Sequence, residues 1–204
     1  VDGINSAVQE NLRRGRYTYL SLPDIPGAAG LRTALQADLK PQVQRFKELS
    51  PGTEKAPYPE LGVTWQLIAA SPAAIGVRLV TREVGKDDTF TGKVETGWWD
   101  PATTKLRPAR DLIRAGADRE FFDRLTAAAA ADPAVDQGSF TEQLQGEWES
   151  FDSIAFTTGG RLWIEFDRAQ ISSDDQPVGI TIGARGLLSD FGEAIAQTCE
   201  DLAG

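Results

Sequence analysis

Residues 61–106 constrain the fold most strongly, because apolar side chains alternate with others through three successive stretches of this segment. Alternation with a period of two predicts β-strands that bury one face. Ser71 and Pro72 separate the first two stretches, since proline cannot donate a hydrogen bond to a neighbouring strand. We therefore predict three consecutive strands, the third at residues 90–99, followed by a turn at residues 100–105. The alternating apolar residues of the first two stretches are Val63, Trp65, Leu67, Ile75, Val77 and Leu79.

The N-terminal residues predict a short helix. Ile4, Val8 and Leu12 recur every four positions, which suits one face of a helix, and Asp2 is a suitable N-terminal cap. The basic run RRGR that follows then predicts the end of this helix, with Gly15 as its C-terminal cap.

Further helices and strands are predicted on both sides of the central segment. Leucines at three- and four-residue steps predict an amphipathic helix at residues 31–49 with Pro41 inside it. Ser139 and Glu142 have the spacing of a capping box and predict the start of another helix. The remaining predictions are a strand at residues 17–22, a short helical segment at 107–113, a helix at 121–131, a hairpin at 154–166, a strand at 178–182 and a helix at 188–202.

Strands and helices are segregated along the chain rather than strictly alternating, which is typical of the α+β class. The predicted fold is a mainly antiparallel sheet packed against helices on one side. With 204 residues and a hydrophobic fraction of 41%, we expect a single domain, 1–204. Its predicted parts are a strand, turn and helix (1–60), the central strands (61–106), the helices (107–150), and a final hairpin, strand and helix (151–204).

The chain contains no histidine, and Cys199 is its single cysteine. Serine and cysteine hydrolases normally use histidine as their base and zinc hydrolases use it as a ligand, so the sequence argues against these classes. A carboxylate-based enzyme and a calcium site remain compatible with it. We predict no catalytic residue, no cofactor and no resident metal. Cys199 lies in an apolar helical pattern, which predicts a buried free thiol.

The net charge of −9 is unevenly distributed. Residues 1–110 carry 15 basic and 12 acidic side chains, whereas residues 111–204 carry 6 basic and 18 acidic ones. No basic stripe occurs, so a nucleic-acid partner is not predicted. No run of about 18 apolar residues predicts a membrane span. The chain begins at Val1 and contains no methionine, and we interpret it as a mature fragment whose leader or anchor has been removed.

Three tryptophans are candidate ligand-binding residues. Trp98 and Trp99 are adjacent on a predicted strand and therefore point to opposite faces. One of them must face the core, while the other either covers a neighbouring helix or forms an exposed platform for a sugar ring. Trp163 alternates with Leu162 and Ile164, so it is predicted to face outward and is a second candidate for such a platform.

Acidic residues near the C-terminus supply two further candidates. Glu165 and Asp167 are two positions apart on one predicted strand face, which suits the separation of about 5 to 9 Å between glycosidase carboxyl groups. Two carboxylates that simply face solvent on an exposed strand would show the same spacing in the sequence. Asp174 and Asp175 are candidate ligand-binding residues that, with Asp167, could bind calcium. Their spacing matches no EF-hand, and a solvated acidic loop is the other interpretation.

Three stretches together resemble a family of secreted bacterial domains. In the family, a strand, a proline turn and a helix correspond to residues 19–27 (YLSLPDIPG) and the helix after them. Residues 91–100, with 103–106 and 111–113, resemble its Gly-rich strand, aromatic-Asp end, turn and short helix. The third stretch comprises residues 156–166 and then 178–188. The family includes the extracellular domain of the lysozyme-sensing anti-sigma factor RsiV, the domain before the catalytic domain of PdaC-type deacetylases, and the mycobacterial antigen MPT-sixty-four.

The resemblance implies an exported protein at the cell envelope, with no established chemistry in the domain itself. Our main hypothesis is a non-catalytic binding or sensing module, a lipoprotein candidate, for a cell-wall glycan or a basic, lysozyme-like protein. Opposite charge would steer such a basic partner to it. The alternatives are an accessory domain of a larger polysaccharide deacetylase, and a glycan hydrolase that uses Glu165 and Asp167. The expected location is extracellular or at the envelope.

Overall fold

The computed structural model describes residues 4–50, 52–85, 90–144, 148, 153–167, 170–172 and 178–201. The strands in this part of the chain are β1 (Asn5–Arg13), β2 (Arg16–Asp24), β3 (Glu60–Ala70), β4 (Ile75–Val84), β5 (Phe90–Asp100), β6 (Lys105–Pro108), β7 (Ser153–Phe156), β8 (Leu162–Phe166) and β9 (Val178–Ile182). The α-helices are α1 (Ala29–Leu49), α2 (Asp118–Ala131), α3 (Gln137–Leu144) and α4 (Asp190–Asp201), and a short 3-10 helix spans Ala109–Leu112. No described helix is long and apolar enough to cross a membrane.

Six strands form the large sheet, in the order β1-β2-β3-β4-β5-β6. Neighbouring strands are antiparallel except β2 and β3, which are parallel and are connected through α1, as a parallel pair requires a crossover. Helix α1 covers one face of this sheet. Its residues Leu31, Leu35 and Leu39 pack in one apolar cluster with Val63, Val77, Leu79 and Trp99.

The small sheet contains β7, β8 and β9 in antiparallel order. Ile154, Ile164 and Ile180 are paired across its three strands, so they share one face. This face is buried in the second apolar cluster, together with Phe121 of α2 and Ile195 of α4.

Side chains of β5 join the two sheets. The hydroxyl of Thr96 accepts a hydrogen bond from the backbone N–H of Ile154 and donates one to its carbonyl oxygen, both at 2.9 Å. The indole N–H of Trp98 donates to the same carbonyl at 3.1 Å. These bonds satisfy the backbone groups of Ile154 at the edge of β7, where an unpaired buried N–H or C=O would be costly.

The α+β class and the mainly antiparallel sheet are confirmed. The three central strands, α1, α2, the hairpin, β9 and α4 all lie close to their predicted positions. The strands divide into two sheets, which the alternation along the sequence does not reveal. Cys199 is half-buried rather than buried, and burial raises the pKa of its thiol.

The predicted N-terminal helix is wrong, because residues 5–13 form the edge strand β1. Residues four positions apart share a face of a strand as well as of a helix, so the spacing of Val8 and Leu12 did not discriminate between the two. The predicted helix end is instead the turn between β1 and β2. Arg14 and Gly15 both have positive φ, at 53° and 68°, as a two-residue type I′ hairpin turn requires.

Two smaller predictions also need correction. The segment 107–113 begins as the end of strand β6, which pairs with β5, before the 3-10 helix starts. The start of α3 is capped by Asp136, whose carboxylate accepts the backbone N–H of Ser139 at 2.8 Å, rather than by Ser139 itself. The predicted turn at residues 100–105 is confirmed by the pairing of Asp100 with Lys105.

Asp100 holds this turn together. One carboxylate oxygen accepts the backbone N–H groups of Ala102 and Thr103 at 2.9 and 3.2 Å, and the other accepts two bonds from Arg107 at 3.0 and 2.8 Å. Burial raises the pKa of Asp100, but the hydrogen bonds from Thr103, Arg107 and Ala102 outweigh it, so the net pKa is lowered.

The lowered pKa of Asp100 predicts a pH-dependent stability. Its contribution is fully present above the unfolded pKa of about 4 and is lost as the pH falls through the folded value. We therefore expect Asp100→Asn to be less stable than the wild type near neutral pH, and the difference to shrink on acidification to about pH 2. Denaturant titration of both proteins at matched pH measures this difference. A difference independent of pH would contradict the lowered pKa.

Candidate functional site

The structure buries both Trp98 and Trp99, with 1% and 4% of their surface exposed. They do point to opposite faces of β5, but each face is covered at this end of the strand. Trp99 packs in the cluster beneath α1, and Trp98 packs in the cluster between the two sheets. Of the two alternatives for the second tryptophan, the structure therefore fits cover by a helix rather than an exposed platform, and neither ring offers a face to a ligand.

Asp174 and Asp175 lie outside the described residues, so the predicted acidic loop has no structural account. Among the residues that the structure does describe, no group of three or more Asp, Glu or Cys side chains is arranged to hold a metal ion.

Trp163 is exposed, as predicted, with 38% of its surface open to solvent. Its register places it beside Ala155 and Thr181 on the face of the small sheet that is opposite the core. The indole lies over Gly179 of the neighbouring strand, where an added Cβ would stand only 1.8 Å from the ring. The missing side chain at this position leaves room for the indole to lie against the sheet while its other side faces outward.

Glu165 lies on the same face of β8 as Trp163, two residues further along. Its carboxylate receives two hydrogen bonds from the guanidinium of Arg78, at 2.8 and 2.5 Å, and a longer one from the hydroxyl of Ser153 at 3.3 Å. The third guanidinium nitrogen of Arg78, Nη1, donates to the side-chain oxygen of Gln66 at 3.1 Å. We call Trp163, Glu165, Arg78 and Gln66 the Trp163 surface, because Glu165, Arg78 and Gln66 are hydrogen-bonded in series from the small sheet to the large one and Trp163 shares a strand face with Glu165.

The pair Arg78–Glu165 is mostly shielded from water, with side-chain exposures of 19% and 10%. A paired, bidentate arrangement in such surroundings orients both groups firmly. Gln66 at the end of this series is exposed, so its amide is the polar group of this network most open to solvent. The pair itself keeps only the small exposure given above.

Asp167 is also engaged in the junction between the sheets. Its carboxylate accepts the backbone N–H of Val94 on β5 at 2.6 Å, and its own N–H donates to the side chain of Gln170 at 2.8 Å. Neither Glu165 nor Asp167 is thus a free carboxyl group facing a substrate. A glycosidase mechanism needs one carboxyl group to release a proton and another to attack or to activate water. Both would first have to leave these bonds.

A cleft of about 500 Å³ between α1 and β6 is the second candidate site. Leu35, Leu79 and Leu106 line its floor, and Asp38, Glu95, Arg107 and Arg110 line its walls with Trp148. Most of these charges are compensated. Arg107 bonds to Asp100, Glu95 contacts Lys93 at 2.8 Å, and the guanidinium of Arg110 lies over the ring of Trp148, 5.3 Å from its centre. We therefore regard the cleft as the weaker candidate.

The sequence did not identify Arg78 or Gln66 as site residues. Arg78 lies on the face of β4 that is opposite the apolar residues Val77 and Leu79. A charged residue in the middle of a central strand was the one sign in the sequence that it has a partner. Its partner Glu165 lies 87 residues away, and no local pattern encodes that pairing.

The fold is similar to that of two solved bacterial proteins. One is a DUF3298 family protein from Pseudomonas aeruginosa PAO1, 12% identical, with a TM-score of 0.60 over 92% of this chain and 94% of that one. The other is a DUF3298 family member from Bacteroides fragilis NCTC 9343, 11% identical, with a TM-score of 0.60 over 97% of each chain. At these identities the likeness concerns the fold alone. No protein-family model matches the sequence, and neither does any curated protein.

Proposed function

We propose that this chain is a non-catalytic binding module of the bacterial cell envelope and that it binds a cell-wall glycan at the Trp163 surface. The observation that carries the proposal is the exposed indole of Trp163 lying over Gly179 beside the fixed Arg78–Glu165 pair.

The chemistry of this surface suits a sugar ring. An indole offers a large, rigid, apolar face together with a polar N–H, and the apolar C–H groups of a pyranose can pack on it. The hydroxyl groups at the rim of the sugar need donors and acceptors in fixed positions. The planar guanidinium of Arg78, the carboxylate of Glu165 and the amide of Gln66 supply both kinds.

The resemblance to exported domains supports a location at the cell envelope, and the shared fold with bacterial structures is compatible with it. As an accessory domain of a larger deacetylase, the chain would present the same surface to the same polymer. The engaged carboxylates of Glu165 and Asp167 favour binding over hydrolysis.

A basic, lysozyme-like protein is the second candidate partner, because residues 111–204 carry 18 acidic and only 6 basic side chains. Acidic residues begin both α2 and α4, including Asp118 and Glu120 in α2 and Asp190 and Glu193 in α4. Such a surface would steer a cationic protein towards it in a manner that salt screens.

Cosedimentation with insoluble peptidoglycan tests the proposed function. We expect the wild type to bind, and Trp163→Ala to bind at least about tenfold more weakly, because truncation of an aromatic anchor removes most of the contact energy. Gly179→Ala tests the position of the ring rather than its presence. It retains Trp163 but fills the space that the indole occupies, so we expect a similar loss of binding in a folded protein.

The cleft between α1 and β6 supplies the opposite control. Asp38→Asn and Arg110→Gln alter the cleft and should leave binding unchanged. Loss of binding in these variants with retention in Trp163→Ala would move the site to the cleft. If the wild type does not bind peptidoglycan but binds lysozyme at low salt, a basic, lysozyme-like protein replaces the cell-wall glycan as the proposed partner.

A further inference from the structure

We propose that the tip of the β1–β2 hairpin, together with the C-terminal end of α1, docks on an anionic lipid surface. We call this region the basic tip and define it by Arg13, Arg14 and Lys47 with Leu12 and Leu49. None of these residues belongs to the Trp163 surface, and the inference does not depend on glycan binding.

The basic tip is one compact structure rather than two separate protrusions. The backbone N–H of Thr53 donates to the carbonyl of Gly15 at 3.1 Å. A Cβ added to Gly15 would stand 1.8 Å from the carbonyl oxygen of Thr53, and one added to Gly52 would stand 1.7 Å from that of Arg14. The two backbones therefore touch, and they hold the turn against the chain that leaves α1.

The cations of the basic tip are available to a partner. Arg16 is used within the fold, since its guanidinium donates to the carbonyl oxygens of Lys47 and Ser50 at the end of α1. Arg13, Arg14 and Lys47 are exposed, and none of them forms an ion pair within the described part of the chain. They stand out because the whole chain carries a net charge of −9.

Exposed leucines accompany these cations. Leu12 and Leu49 are 56% and 69% exposed, and they are two of the four large apolar side chains that are exposed in the described residues. A cavity of about 390 Å³ opens between the cations, lined by Arg13, Arg14, Arg16 and Lys47 together with Asn11, Thr18, Gln44 and Glu48. A phosphate headgroup could enter this cavity. Leu12 lines a neighbouring cavity with Arg14 and Gly15, on the other side of the turn, so an apolar side chain flanks the cations there.

The combination favours a lipid surface over a soluble anion. A soluble polyanion would need only the cations, whereas exposed apolar side chains among basic ones are typical of proteins that lie in the interface of an anionic bilayer. Each lysine or arginine near such a surface strengthens binding about fivefold, and the attraction is screened by salt. Three cations thus give weak, reversible docking that would orient the module on the membrane.

Flotation with lipid vesicles tests this inference on the full chain. The probes are vesicles of phosphatidylcholine alone and vesicles that also contain phosphatidylglycerol, in about 0.1 M salt, where the screening length is about 10 Å. We expect binding to the anionic vesicles alone. The double variant Arg13→Gln, Lys47→Gln should bind about 25-fold more weakly, since two charges are removed. The double variant Leu12→Ser, Leu49→Ser should also bind more weakly than the wild type. Raising the salt concentration should abolish the binding that either double variant retains.

The matched control is Arg119→Gln, Arg185→Gln, which removes two exposed cations far from the hairpin in sequence and should bind like the wild type. Absence of wild-type binding to anionic vesicles would overturn the proposal, as would equal binding by both charge variants. Competition between polyphosphate and the anionic vesicles is the third measurement. If the chain binds polyphosphate tightly and the leucine substitutions do not weaken vesicle binding, the basic tip is a site for a soluble polyanion instead.

Discussion

Replacing Trp98 with alanine is expected to lower the free energy of unfolding by about 3–5 kcal/mol, the usual cost of truncating a buried aromatic residue. Trp98 is 1% exposed and lies where β5 meets the small sheet. Its ring packs edge-on against Phe156, with centroids 5.9 Å apart, and approaches Gly76 so closely that an added Cβ would stand 2.6 Å from it. Truncation leaves a cavity between the sheets that rigid strands cannot fill.

Trp163→Ala is the matched control for this prediction, because it removes the same side chain from the surface and should cost about 1 kcal/mol or less. Thr96→Val separates packing from hydrogen bonding, since it leaves the N–H of Ile154 without its acceptor and should cost about 1–3 kcal/mol. Urea denaturation measures all three. Equal stability of Trp98→Ala and Trp163→Ala would contradict the burial of Trp98.

Glu165→Ala is expected to cost about 3 kcal/mol, the lower end of the range for breaking a buried ion pair, since the pair retains slight exposure. The substitution leaves the guanidinium of Arg78 largely desolvated without its carboxylate partner. Replacement of both residues by apolar ones, Arg78→Met with Glu165→Leu, should recover most of the loss because no charge is then left unpaired. A double-mutant cycle measures this coupling.

The exposed pair Arg119–Asp123 calibrates the second prediction. Its charged groups lie 3.8 Å apart with side-chain exposures of 94% and 73%, so Asp123→Ala should change stability by no more than about 0.5 kcal/mol. If Glu165→Ala is as mild as Asp123→Ala, the ion pair does not hold the two sheets together. Because Glu165 is also part of the Trp163 surface, the stability measurement must precede any binding experiment with this variant.

Local patterns predicted the elements whose residues follow one period over many positions. The alternation through β3 and β4, and the leucine spacing of α1, are of this kind, and burial of one face explains both. β1 was mistaken for a helix because an edge strand has little burial to impose alternation, and the spacing of Val8 and Leu12 fits either element.

Tertiary contacts determined which predicted site residues remain accessible. The opposite orientations of Trp98 and Trp99 followed from strand geometry, but the cover over each face comes from chain segments far away in the sequence. The exposure of Trp163 was predictable because its neighbours Leu162 and Ile164 define the buried face of β8. The role of Gly179 was not predictable, since it requires knowing that β9 pairs beside β8.

The most direct test of glycan binding at the Trp163 surface is an NMR titration of the tryptophan indole N–H signals with a soluble peptidoglycan oligosaccharide. The chain has five tryptophans, and single substitutions assign their signals. We predict a saturable shift of the Trp163 signal with unchanged Trp98 and Trp99 signals, and no saturable shift of any indole in Trp163→Ala. An unshifted Trp163 signal at oligosaccharide concentrations up to about 10 mM, where even a Kd of about 1 mM gives near-saturation, would contradict the proposed function.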